Sequence, residues 1–305
     1  MTLDARKLGA IGLVTVGFGL VYARVFRSLV DAWIVDGNYS HGFLIIPIAA
    51  YLAWERRARL LSTPLRPTWL GLVVLSGGIL VLLVGLLGSE LFLSRISMLG
   101  TLVGIILFLF GWAHLRLLFF PLACLLLMIP LPAIIFNQVA LPLQLFASRV
   151  GEAAISTAGI PVLREGNVLI LANTSLEVAE ACSGIRSLVS LLTLAIVYGY
   201  FTDSRGWVRT MIAVSTIPVA ILANGARVAG TGIASHYWGP SVAEGFLHEF
   251  SGWVIFLVAF AMMLAIQRFI VWIAPEPRGQ RAAEPKPAPI PAGTDPAPES
   301  VKVKG

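Results

Sequence analysis

Apolar runs long enough to cross a lipid bilayer constrain this chain more than any motif in it. A helix needs about 20 largely apolar residues to span a hydrocarbon core of roughly 30 Å, because lipid leaves no water to satisfy an exposed backbone amide. Such runs fall near residues 8–25, 42–54, 69–87, 96–112, 117–129, 183–201, 208–226 and 252–273. The second and fifth are short, and Pro47, Pro121 and Pro218 lie inside runs, where proline kinks a helix without forbidding it. Composition agrees with that reading: 57% of the 305 residues are hydrophobic and 12% charged, which leaves too little polar surface for a water-soluble domain. The expected fold is an all-α polytopic membrane protein of about eight transmembrane helices, with no nucleic-acid partner. Gly100 and Gly104, four apart in the fourth run, read as a helix-packing contact.

Charge sets the expected orientation. With the N-terminus inside, the cytoplasmic loops and tail collect fifteen of the 22 Lys and Arg, among them Arg56, Arg57, Arg59, Arg66, Arg116, Arg205 and Arg209. This is the usual positive-inside bias, and it puts both termini in the cytoplasm. The opposite face then carries nine of the 16 acidic residues. Residues 1–23 also suit a signal peptide, but cleavage there would leave every later loop on the same side, so an uncleaved first span is expected. Residues 1–274 form one transmembrane domain. Residues 275–305, rich in Pro, Ala and charge, have no means of building a core and are expected to be disordered.

The informative loops face away from the cytoplasm. The longest runs over residues 130–181. Its first part, with Ile134, Ile135, Val139, Leu143, Leu145 and Phe146, reads as a helix lying at the membrane interface. Its second part contains VLREGNVLIL, two β-prone runs around a Glu-Gly-Asn turn signal, followed by an alternating stretch from Ser175 to Glu180. A small antiparallel β element outside the membrane is expected there, leading into Cys182 where the sixth apolar run begins.

Three residues then converge by topology: Cys182, Arg227 at the outer end of the seventh run, and His248 at the entrance to the eighth. A thiol at the start of a helix, where unsatisfied amides favour negative charge, is well placed to ionise. Cys182 would attack a peptide carbonyl and hold the acyl group as a thioester, and Arg227 would polarise that carbonyl or donate to the developing oxyanion. His248 has an ordinary pKa near neutrality and would exchange the proton, a task for which an arginine is too weak an acid. Arg186 lies four positions after Cys182, where it would lower the thiol pKa or pair with Glu180 or Glu177. His41, Glu180 and Asn224 are supporting candidates. Each has a plainer reading: a buried structural thiol for Cys182, a snorkelling anchor for Arg227, an interfacial hydrogen bond for His248, and a turn opening the second run for His41. Cys124, well inside the fifth run, reads as structural filler, and no disulfide with Cys182 is expected.

The segments YSHGFLIIP, REGN, LEVAEACSGIRSL, NGARV and HEFSGW resemble the exosortase family in order, spacing and position at the membrane boundary, over about residues 10–273. The resemblance implies an integral cysteine protease or transpeptidase of the Gram-negative inner membrane with its active site on the periplasmic face. It implies no cofactor or metal. Its substrates would be exported proteins with a C-terminal sorting signal, PEP-CTERM, made of a Pro-Glu-Pro motif, a membrane span and a basic cluster, in a setting of exopolysaccharide synthesis. A lipid-linked or polysaccharide group would be a candidate acceptor. Carried over by motif, Cys182 matches the nucleophile, Arg227 the arginine and His248 the third polar residue; in related archaeal enzymes the arginine is described as the proton donor, so the division of roles stays open. Pro275, Glu276 and Pro277 follow the last span instead of preceding one, which argues against self-processing.

Two other classes remain. A transporter would use Arg227, Arg186 and His248 along a solute path, although the spans hold almost no ionisable residue near their midpoints. A non-catalytic scaffold of an exopolysaccharide export system would tolerate loss of the thiol.

Overall fold

The computed structural model describes residues 5–172, 174–178, 185–239 and 246–275. The chain begins with α1 (Ala5–Val21) and α2 (Ala23–Val35), a pair bent by 58° at Tyr22. Next come α3 (Gly42–Glu55), the short α4 (Arg57–Ser62), α5 (Leu70–Leu87), α6 (Leu91–Leu109), α7 (Trp112–Leu126) and α8 (Ala133–Thr157). A three-stranded sheet, β1 (Val162–Glu165), β2 (Val168–Leu171) and β3 (Ser175–Glu177), leads to α9 (Ile185–Thr202), α10 (Gly206–Trp238) and α11 (Phe246–Ile273).

Six of these helices are long and apolar enough to cross a membrane, or seven if α1 and α2 count as one broken span. The protein is thus a multi-pass membrane protein, with fewer such helices than the eight expected. The shortfall has a physical cause. The short second and fifth runs become α3 and α7, whose 14 and 15 residues reach only about 21 to 23 Å. The length criterion also admits α8, which the sequence reading placed at the interface.

Contacts orient the helices. Trp33 Nε1 donates to the Met128 carbonyl at 2.9 Å, and the Leu131 amide to the Tyr39 hydroxyl at 3.0 Å. The α2–α3 turn therefore meets the α7–α8 turn at one end, which also holds the sheet. At the other end His114 Nε2 lies 3.2 Å from the Leu60 carbonyl, and Arg205 donates to the Ala274 carbonyl. Along α5, Gly71, Gly78 and Gly85 recur every seven residues and bring α6 close. A Cβ at Gly78 would lie 2.7 Å from the Thr101 amide nitrogen, and one at Gly104 of α6 would lie 2.4 Å from that of Leu75. Gly104 thus serves the packing role read from its spacing with Gly100.

The sheet is antiparallel in the order β1-β2-β3, with Glu165 opposite Val168 and Leu169 opposite Leu176. Two residues, Gly166 and Asn167, close the first hairpin; Gly166 has φ +65°, a conformation that glycine adopts without a Cβ penalty. Leu169, Leu171 and Val178 pack with Ala147 and Ile155 of α8 and Val228 of α10 into one small core. Arg164 fastens the sheet to α8 by an ion pair with Glu152 at 2.8 Å, and Ser148 Oγ donates to the Gly166 carbonyl at 3.0 Å. A separate core joins α9, α10 and α11 through Leu191, Ala195, Ile212, Val219, Ala259 and Met263.

Candidate active site

The sheet end holds four of the candidate side chains among the described residues: Arg227, Asn224, Arg186 and His41. Cys182 and Glu180 lie outside the described residues, bracketed by Val178 and Ile185, which are both buried. His248 falls in the first turn of α11, and its side chain also lies outside the description.

Arg227 does not end its helix, as the sequence reading had it. The helix α10 runs on to Trp238, 33 residues in all or about 50 Å, well beyond a hydrocarbon thickness. The extension forms because its inward side is small or apolar: Gly232 faces Ile155 of α8, Val228 faces Gly151, and Gly225 faces Val150. From Gly206, Arg227 comes about 32 Å along the helix, still near one membrane thickness from the other end. It is half-buried, and Asn224, one turn earlier, is buried at 4% exposure. The Arg227 guanidinium lies against α11: a methyl group at Gly252 would sit 3.5 Å from Nη2 and 3.6 Å from Cζ. Gly252 follows His248 by one helical turn, so the arginine sits against the helix whose first turn carries the imidazole.

Arg186 stands in the first turn of α9, exposed, with its guanidinium over the α2–α3 turn. A Cβ at Gly37 would approach its Cζ to 3.0 Å, and Nε lies 3.4 Å from Asn38 Oδ1. The turn is stiffened by the Asn38 amide donating to Asp36 Oδ1 at 2.8 Å, so an amide oxygen and a bare backbone support this arginine. His41 closes the same turn; its Nε2 lies 3.1 Å from the Leu127 carbonyl, which can only accept, so Nε2 carries the proton. Burial lowers its pKa, against the opposing pull of the Leu127 and Asn38 carbonyls. His41 therefore ties α3 to the end of α7 as a largely neutral imidazole.

Sequence reading missed Gly37 and Asn38 as parts of this end, and named Tyr39 only as the first residue of the YSHGFLIIP segment. Tyr39 is 5% exposed, its hydroxyl accepts from Leu131, and burial raises its pKa. The Asp-Gly-Asn stretch at residues 36–38 was the available turn signal.

The chemistry open to this end is that of cations near the first two turns of α9 and α11. One guanidinium stands in the first turn of α9 and another lies against the second turn of α11, both suited to a carboxylate or a developing oxyanion. Among the described residues, no group of three or more His, Cys, Asp and Glu could hold a metal ion. Comparison with known families gives a match of residues 33–265 to the model described as transmembrane exosortase. No curated protein and no solved structure matches the chain.

Proposed function

Because the chain belongs to the transmembrane exosortase family, whose members have a membrane transpeptidase and sorting role, we propose that it is a cysteine protease or transpeptidase that removes a C-terminal PEP-CTERM signal. The observation that carries this reading is the Arg227 guanidinium lying against Gly252, one turn from His248, at the end where α9 begins three residues after Cys182.

In this mechanism the Cys182 thiolate adds to the scissile carbonyl, and the oxyanion of the tetrahedral intermediate is held by Arg227. Collapse breaks the C–N bond, and His248 delivers a proton to the departing amine, leaving an acyl thioester. An acceptor then attacks the thioester carbonyl, gives up its proton, and expels the thiolate. Water as acceptor makes the reaction hydrolysis; a lipid-linked or polysaccharide hydroxyl, or an amine, makes it transfer. The substrate span enters from the lipid with its Pro-Glu-Pro segment at the sheet end, and its glutamate pairs with Arg186 or Arg227. The sheet end is then periplasmic, in the inner membrane, and the basic end cytoplasmic, in keeping with the positive-inside bias. Exopolysaccharide assembly is the setting this reading assigns.

The test is the mass of a tagged PEP-CTERM substrate co-expressed with wild type or Cys182→Ala. Loss of the C-terminal segment only with the intact thiol supports the proposal, and added mass identifies the acceptor. Unprocessed substrate in both strains, with both proteins membrane-inserted, would favour a transporter or scaffold.

A further inference from the structure

The end remote from the sheet carries a second concentration of cations that the proposed reaction does not use. Four contacts gather it from separate segments: Arg56 Nη1 donates to the Leu117 carbonyl, His114 meets Leu60, the Arg66 amide donates to the Phe110 carbonyl at 3.2 Å, and the Trp69 and Phe108 rings lie 6.3 Å apart. Arg56 is occupied there and by the Tyr200 hydroxyl at 2.6 Å. Arg57, Arg59, Arg66 and Arg116 are exposed, and among the described residues none of them forms an ion pair with a carboxylate. Between Glu55 and Arg116 the only acidic residues are Glu55 itself and Glu90, and Glu90 caps α6 at the opposite end. The same surface exposes Trp54, Leu61, Trp69 and Trp112, with Arg57 3.9 Å over the Trp54 ring and Arg116 5.8 Å from that of Trp112.

We propose that this surface is a binding site for the headgroups of anionic phospholipids. The charge is complementary, and guanidinium recognises phosphate through paired donors. The indole and leucine side chains among the cations are of the kind that anchor at the level of lipid headgroups, whereas a soluble acidic partner would leave them in water. The cations supply the preference for charge, and the aromatic residues fix the depth.

The experiment uses the full chain in nanodiscs of phosphatidylcholine with a fixed minor fraction of phosphatidylglycerol, followed by native mass spectrometry of the lipid that stays bound. Wild type should retain phosphatidylglycerol over phosphatidylcholine, and the preference should fall about five-fold for each guanidinium removed, so about 25-fold for Arg57→Gln with Arg59→Gln. Arg24→Gln with Arg27→Gln, the same change of charge on α2, should leave it unaltered. Equal retention in wild type and the Arg57/Arg59 variant, or an equal loss in the α2 control, would overturn the proposal; so would an acidic protein held in place of lipid. Should the variant fail to insert, a salt titration of the wild type decides. The preference must weaken as salt rises, and a salt-independent preference contradicts the site.

Discussion

Two arginines at opposite ends of this molecule, Arg205 and Arg186, are held in opposite ways. At the α9–α10 turn, Arg205 closes on Asp203 with Nε at 3.0 Å from Oδ1 and Nη2 at 2.7 Å from Oδ2, and it also donates to the Ala274 carbonyl. Arg209 adds a bond from Nε to the Asp203 carbonyl at 2.6 Å. The Asp203 and Arg205 side chains are only 3% and 12% exposed, so this is a dry ion pair that fastens α9, α10 and α11 together. At the sheet end, Arg186 leans on a glycine and an amide oxygen and stays exposed. A guanidinium neutralised by its own carboxylate is committed to the fold. One supported by neutral groups keeps its charge for a ligand.

Arg227→Gln tests the sheet end most severely. Under the proposed mechanism it should cut substrate processing about 100- to 1,000-fold, the usual cost of an oxyanion donor, with little change in thermal unfolding. Wild-type turnover in this variant would remove Arg227 from the chemistry.

Asp203→Ala tests the other end and should do the reverse. Stranding Arg205 in a buried site should cost about 3 kcal/mol of stability, read from the unfolding midpoint, with processing per folded molecule preserved. The pH dependence has a defined sign. The hydrogen bond from the Arg205 side chain, above all, holds the Asp203 carboxyl below the usual carboxylate range. The stabilisation is thus present above a normal aspartate pKa, near 4, and is lost as pH falls through the lowered value. Asp203→Asn should flatten this acid limb, and an unchanged acid limb would show that the pair contributes nothing.

Arg186→Gln should have a smaller effect, about a ten-fold rise in KM with kcat retained, if Arg186 anchors a substrate carboxylate; a fall in kcat alone would place it with Arg227. Smallest is Gly166→Ala. At φ +65° an alanine is strained by about 1 kcal/mol, which loosens the hairpin without touching the cations.

How much of this could be read beforehand differs by region. The hairpin was legible because Glu-Gly-Asn sits between two β-prone runs, and the structure closes it at Gly166 and Asn167. Helices α9 and α11 were legible from apolar length. The extent of α10 was not, because hydropathy falls after Ala226 while the helix continues on small residues fitted against α8, a tertiary effect that a window of apolarity does not register. The bend at Tyr22 was missed for a related reason: α2 is amphipathic, burying Val25, Leu29 and Trp33 on one face while Arg24, Arg27 and Asp31 are exposed. Its four-residue period was the available signal. At the candidate site, sequence named Arg227 and Arg186, but their supports, Gly252 and the Gly37–Asn38 turn, are 25 and about 150 residues away along the chain, and only folding brings such pairs together.

Thiol chemistry at the sheet end, as proposed, is read from the intact mass of a tagged PEP-CTERM substrate recovered from membranes that contain wild type or Cys182→Ala at equal levels. A shortened substrate, with or without an added acceptor mass, is expected in wild type alone. The same processed mass in both strains would contradict it.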